Sequence, residues 1–137
     1  QVQFRSGCVD YQLHPLIPRC VVRDIFNVII PSEHEYFRTS LEKSLVMSLE
    51  VVVDDLDKTR TTVKQALYPI IKVLEIAPFL GGDNPNFSDY AIFGAFMWAR
   101  VTSSFQLLEL SDPIYHWRER MLLLYDGLAK NAPAVDI

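Results

Sequence analysis

Cysteine is scarce in this sequence, with Cys8 and Cys20 the only two among 137 residues. A small disulfide-stabilised domain needs more cysteines in a shorter chain, so two reduced thiols on a half-buried helix are the favoured interpretation. The three histidines, His14, His34 and His116, are too scattered to predict a metal site.

Positive charge is not in excess either. There are 13 Lys and Arg against 17 Asp and Glu, a net charge of -4, and no run of basic residues. A nucleic-acid-binding surface needs a basic patch, so no nucleic acid is expected as a partner. The longest apolar run, residues 91–99, is too short to span a bilayer, and no signal peptide opens the chain. We therefore expect a cytoplasmic protein with no membrane partner.

Motifs that carry catalysis are missing as well. The sequence has no glycine-rich phosphate loop, no Cys-x-x-Cys, no nucleophile elbow and no His-Glu pair at metal spacing. Asp54, Asp55 and Asp57 could bind a cation, but on a helix their carboxylates diverge and a hydrated surface is favoured. Four aromatic residues could line a ligand pocket, although core packing is the favoured explanation. These are Phe93, Phe96, Trp98 and Phe105.

What remains is the composition of a globular helical domain. Half of the residues are hydrophobic and 22% are charged. The apolar spacing is helical almost throughout, so the sequence predicts one all-α domain over residues 1–137, a bundle of five or six helices around a central buried helix. The first helix covers residues 2–30. Pro15 and Pro18 should kink or break it, and Pro31 should end it.

Three further helices are predicted, two before a loop rich in glycine and proline at residues 78–85 and one after it. Ser32 and Glu35 have the spacing of a capping box, which begins a helix through about residue 45. An amphipathic helix over residues 48–76 should bend near Pro69. After the loop, an uncharged apolar helix over residues 87–103 should lie in the middle of the bundle.

Small residues and caps refine this picture. Gly94 and Ala95 should let a neighbouring helix approach the central one. The last helix should begin with Asp112 as N-cap and Pro113 at its first position, and should end at Gly127. On that helix Trp117, Met121, Leu124 and Tyr125 are predicted to point inward.

The strongest local pattern marks the start of the central helix. Asn86 can cap the amide of Asp89, and the Asp89 side chain can return a bond to the Asn86 amide. The helix start is expected to be buried, so its first N–H groups cannot reach water and need such partners. The sequence therefore predicts that Asn86 and Asp89 form a structural helix cap.

These residues carry a resemblance to a known family. Phe79-Leu80-Gly81-Gly82, followed by a cap residue three positions before an Asp, resembles the C-terminal domain of glutathione transferases. In that family the position of Asn86 is usually Ser or Thr, whereas Asp89 matches. The stretches at residues 35–38, 93–100 and 115–120 look most like the fungal etherase-related class, and the likeness extends from about residue 31 to residue 133.

The resemblance implies that glutathione is a co-substrate held mainly by an N-terminal thioredoxin-like domain of the same protein. That domain would also supply the thiol-activating residue, so no catalytic residue and no metal are expected in this chain. Gln1 is not an initiator Met, and we expect the sequence to begin inside a longer protein. The resemblance places the electrophile pocket beside the first helix. The candidate substrate-binding residues there are Cys8, Tyr11, Arg19 and Phe26.

Two functions remain open at this point. The chain is either the substrate-binding half of a dimeric detoxifying glutathione transferase that acts on apolar aromatic electrophiles, or a non-catalytic module for ligand carriage or protein–protein interaction. In both cases the isolated chain is expected to be inactive, because nearly all of the implied glutathione site would lie in the other domain. Small hydrophobic molecules are its expected ligands.

Overall fold

The chain folds into helices that pack lengthwise against one another. The computed structural model describes residues 2–45, 48, 50–51, 56–103 and 108–134. In chain order the helices are α1 (Val2–Val28), a 3-10 turn (Pro31–Glu33), α2 (His34–Leu45), α3 (Leu56–Leu74), α4 (Phe87–Thr102) and α5 (Pro113–Gly127). These described ranges contain no strand, and the prediction of an all-helical bundle is confirmed.

The core lies where α1 packs along both α3 and α4, with α5 closing the side against α3. Each helix contributes side chains at intervals of three or four residues, which is the spacing that keeps them on one face. The side chains that the two longest helices bury in this core are Val9, Leu13, Ile17, Cys20 and Val21 from α1, and Val63, Ala66, Leu67, Ile70 and Leu74 from α3. Along this part of the chain, no helix is both long and apolar enough to cross a membrane.

Prolines do not interrupt the helices. α1 runs through Pro15 and Pro18, and α3 runs through Pro69 to Leu74. A proline inside a helix costs about 3 kcal/mol through its missing donor and ring clash. In α1 the buried side chains listed above continue past both prolines, and this packing holds the helix together. A break of α1 at these prolines, one of the two predicted alternatives, is therefore wrong, and a kink there stays a prediction.

The start of α2 also differs from the prediction. Ser32 lies inside the 3-10 turn, with Ile30 rather than Ser32 at the N-cap position and Pro31 at the first position. The Ser32 and Glu35 side chains form no capping box in the described structure. Instead, the His34 ring bonds to the Ile29 carbonyl at 3.0 Å, which ties the start of α2 to the end of α1.

The central helix α4 is buried on one side only. Ile92, Phe93, Phe96 and Ala99 lie in the core, while the opposite side is open to solvent. We call this side the open face of α4. It consists of Phe87, Tyr90, Gly94, Trp98 and Val101. The four side chains other than Gly94 have exposed fractions between 38% and 78%. No described atom lies within 4 Å of a Cβ built on Gly94, so the predicted close approach of a helix there is wrong.

Helix α5 begins at the predicted residues, with Asp112 at the N-cap position, but the Asp112 side chain makes no capping hydrogen bond among the described residues. The helix ends in a left-handed turn. Pro113 occupies its first position, and Trp117 and Met121 are buried. Tyr125, however, has φ of 53° and an exposed fraction of 72%, so its predicted inward orientation is wrong. The cause is the backbone, which leaves the helix at an extended Leu124 and turns the Tyr125 side chain away from the core.

Candidate functional site

Asp89 lies at the junction of the loop before α4, the start of α4 and the middle of α5. Its side chain is 0% exposed. One carboxylate oxygen accepts the Leu80 amide and the Trp117 indole N–H, both at 2.8 Å. The other accepts the Gly81 amide at 3.1 Å and the Asn86 amide at 2.9 Å. Four donors from three segments therefore converge on one buried carboxylate.

The helix cap predicted from the sequence is part of this junction. The Asn86 side-chain oxygen accepts the Ser88 amide at 2.9 Å, and Asp89 returns a bond to the Asn86 amide. The predicted capping box is present, because the Asn86 side chain also caps the Asp89 amide, which bonds in addition to the Asn86 carbonyl at 3.0 Å. The bond from Trp117 carried no sequence signal, since that residue lies 28 positions further along the chain.

The loop bound by Asp89 is tightly folded around Gly81. A Cβ built on Gly81 would lie 2.3 Å from the Asn84 carbonyl oxygen, which is backbone and cannot simply rotate away. Gly82 has φ of 95°, a conformation that glycine adopts without strain. The pattern of two consecutive glycines thus reflects the close path of the chain that brings the Leu80 and Gly81 amides to Asp89.

We expect Gly81→Ala to lower the free energy of unfolding by about 1–3 kcal/mol, since the loop must shift and weaken a buried hydrogen bond. Gly94→Ala is the matched control. It lies in a helix with open space around it, and alanine there should raise the free energy of unfolding by about 0.5–1 kcal/mol. Urea unfolding of both variants measures the two changes in the free energy of unfolding. Equal effects of the two substitutions would show that the Gly81 loop tolerates a side chain.

The candidate substrate-binding residues on α1 occupy different surroundings. Tyr11 is 83% exposed and lines a shallow groove of about 430 Å³ between α1 and α3. We call it the Tyr11 groove. Its lining residues are Tyr11, Gln12, Pro15, Leu16, Thr62, Gln65 and Ala66, none of them charged.

Phe26 instead packs beneath α2. Its ring centroid lies 4.3 Å from that of His34 and 6.3 Å from that of Phe37, and the Arg38 guanidinium lies 5.7 Å from its ring. Tyr11 and Phe26 are separated by about 22 Å along the axis of α1 at ~1.5 Å per residue. The structure therefore does not bring the two residues to one small-molecule pocket.

The other two candidate substrate-binding residues are Arg19 and Cys8. Arg19 is half-buried on α1, and its Nε has no hydrogen-bond partner in the described structure. The side chain of Cys8 lies outside the described part of the chain. Cys20 is a free, buried cysteine, and burial raises the pKa of its thiol to about 11, against an opposing effect of Arg60. Almost no thiolate exists at neutral pH, so Cys20 is not a nucleophile.

The four aromatic residues and the three aspartates that the sequence offered as possible ligand or cation sites also lie in different surroundings. Phe93 and Phe96 lie in the core, with their rings edge-on to Trp117 at 6.3 and 6.1 Å, whereas Trp98 is 40% exposed. Phe105, Asp54 and Asp55 lie outside the described residues, as does the side chain of Asp57. No group of three metal-binding side chains occurs among the residues that the structure describes.

Comparison with known families decides what this domain is. Residues 1–111 match the family model described as the glutathione S-transferase C-terminal domain. The chain belongs to this family. The match begins at residue 1, so it includes α1, where the sequence resemblance had been weak, and it covers the whole Asp89 loop and α4.

Membership in the glutathione transferase family indicates which domain binds glutathione. In this family glutathione is a co-substrate bound mainly by an N-terminal domain, and the C-terminal domain is all-helical. The described residues include two surfaces with exposed apolar side chains, the Tyr11 groove and the open face of α4. The match is to the glutathione transferase family as a whole, of which the fungal etherase-related class is one part.

Proposed function

We propose that this chain is the helical substrate-binding domain of a glutathione transferase that conjugates glutathione to apolar aromatic electrophiles or cleaves ethers in them. The observation that carries the proposal is the family match over residues 1–111. The resemblance at residues 35–38, 93–100 and 115–120 supports the etherase-related class, including a fungal source and a role in detoxification.

The open face of α4 supports a two-domain arrangement. Trp98 and Val101 are each 40% exposed, and the space around Gly94, between Tyr90 and Trp98 on this face, is open. Large apolar side chains grouped on one helix face are typical of a surface that another domain covers. We infer that the part of this face formed by Gly94, Trp98 and Val101 packs against the thioredoxin-like domain that holds glutathione, in a cytoplasmic homodimer.

The Tyr11 groove supports binding of apolar aromatic molecules. Its lining combines apolar surface from Tyr11, Pro15 and Leu16 with the polar side chains of Gln12 and Gln65. Ligand sites are commonly apolar with a few polar groups that fix orientation. The groove is open and shallow, so binding by this chain alone should be weak.

We expect anilinonaphthalene sulfonate to bind weakly to the chain, and Tyr11→Ala to reduce the fluorescence of the bound dye. Tyr36→Ala is the matched control, because Tyr36 is 74% exposed on α2, away from the groove. Phe26→Ala should instead lower stability, since Phe26 packs beneath α2. Unchanged fluorescence in Tyr11→Ala, or an equal loss in Tyr36→Ala, would show that the dye binds elsewhere.

The coding sequence upstream of Gln1 tests the proposal as a whole. We expect it to encode a thioredoxin-like domain with a cis-proline before a Glu-Ser or Asp-Ser pair. Purified protein containing both domains should conjugate glutathione to an aromatic halide. An upstream sequence without such a domain would favour the non-catalytic module.

A further inference from the structure

Two tyrosines from distant parts of the chain meet head to head on the surface. Tyr90 lies on the open face of α4, and Tyr125 lies in the turn that ends α5. Their hydroxyl oxygens are 2.8 Å apart and share a hydrogen bond. Both side chains remain in contact with solvent, with exposed fractions of 38% and 72%.

The backbone holds Tyr125 in this position. Tyr125, Asp126 and Gly127 have φ values of 53°, 57° and 76°, so three consecutive residues are left-handed. Residues other than glycine adopt this conformation only where their surroundings hold it. Two bonds fix the segment that follows, from the Arg100 guanidinium to the carbonyls of Ala129 and Lys130 at 3.4 and 3.3 Å.

Hydrogen-bonded phenols that reach solvent are suited to one-electron oxidation. Losing an electron makes a phenol strongly acidic, and water beside the exposed hydroxyls can take the proton. Each ortho carbon lies two bonds from its phenol oxygen, so the two side chains must rotate from this head-to-head arrangement before the ortho carbons can meet.

We propose that Tyr90 and Tyr125 form an oxidative modification site, at which a one-electron oxidant joins their rings as an intramolecular ortho,ortho-linked dityrosine. Each phenol gives one electron to the oxidant and one proton to water, leaving two phenoxyl radicals. A carbon–carbon bond forms between their ortho carbons, and the two ring hydrogens move to the oxygens and restore both phenols. With a peroxidase, hydrogen peroxide accepts the two electrons and two protons and becomes two water molecules.

The cross-link would fasten the left-handed turn to α4 and close a loop of 35 residues. Closing a loop restricts the unfolded chain, so the cross-linked form should resist unfolding more than the untreated form. The inference does not depend on the proposed transferase function, because it uses only the geometry of this chain.

The experiment treats the 137-residue chain, at low concentration, with a haem peroxidase and hydrogen peroxide. We expect dityrosine fluorescence in the monomer fraction, a mass lower by two hydrogens, and a linked peptide pair that contains Tyr90 and Tyr125. The thermal unfolding midpoint of this monomer should rise. Tyr90→Phe and Tyr125→Phe should each reduce the monomer fluorescence to background, whereas the control Tyr36→Phe should leave it unchanged.

Three results would overturn the proposal. They are a monomer without dityrosine, a linked peptide pair that joins other tyrosines, and undiminished monomer fluorescence in Tyr90→Phe. Circular dichroism of each variant before treatment shows that the fold is intact. Tyr90 and Tyr125 are solvent-exposed, so their phenylalanine variants should fold.

Discussion

Asp89→Ala is expected to lower the free energy of unfolding by about 3–5 kcal/mol, enough to unfold much of a marginally stable domain. Four N–H donors lose their acceptor at once, and the indole and the Leu80 amide belong to buried residues. A buried donor without a partner costs about 1–3 kcal/mol, and effects within one network are not additive. Refolding should also slow, because the start of α4 must form before α5 can pack on it.

Asp83→Ala is the matched control for this prediction. Asp83 is an exposed carboxylate in the same loop, and its side chain makes no hydrogen bond within the described structure. Thermal and urea unfolding compare the stability of the two variants. Stopped-flow fluorescence compares their refolding rates. An Asp89→Ala protein that melts within about a degree of the unmodified chain would mean that the network does not stabilise the fold.

Trp117→Ala should have an effect of similar size for a different reason. The Trp117 side chain is 0% exposed and contacts the rings of Phe93 and Phe96, so its removal leaves a large cavity between α4 and α5. Truncating a buried aromatic residue to alanine costs about 3–5 kcal/mol.

Trp117→Phe separates packing from the hydrogen bond. It keeps an aromatic ring in the core but removes the N–H that Asp89 accepts, and we expect a loss of about 1–3 kcal/mol. In a double-mutant cycle with Asp89→Ala, the two losses should be strongly non-additive. Additive losses would show that the indole and the carboxylate act independently.

Several features of this domain that depend on short-range sequence were predictable, although the capping box predicted at Ser32 and Glu35 does not form in the described structure. The spacing of apolar residues gave α3 and α4, Asn86 and Asp89 form the helix cap, and Pro113 marks the first turn of α5. In each case a local pattern of a few residues is decisive, because the groups that interact lie within one or two helical turns.

Features that depend on long-range packing were not predictable. α1 continues through Pro15 and Pro18 because other helices bury its opposite side, and nothing in residues 2–30 alone shows this. Tyr125 points outward because the chain leaves the helix at Leu124, which a helical pattern conceals. The packing of α2 over Phe26 at the end of α1 likewise depends on contacts between residues far apart in the chain.

The central claim is that this chain is one half of a glutathione transferase and that its glutathione site lies mainly in the other half. Glutathione is a charged tripeptide that needs backbone pairing and donors for two carboxylates, and the described helices present no strand edge for that pairing. Its thiol must also be activated, because it is mostly protonated near neutral pH. Calorimetric titration of glutathione into the 137-residue chain tests the claim most directly. We expect no measurable heat of binding, whereas saturable binding in the micromolar range would contradict the account.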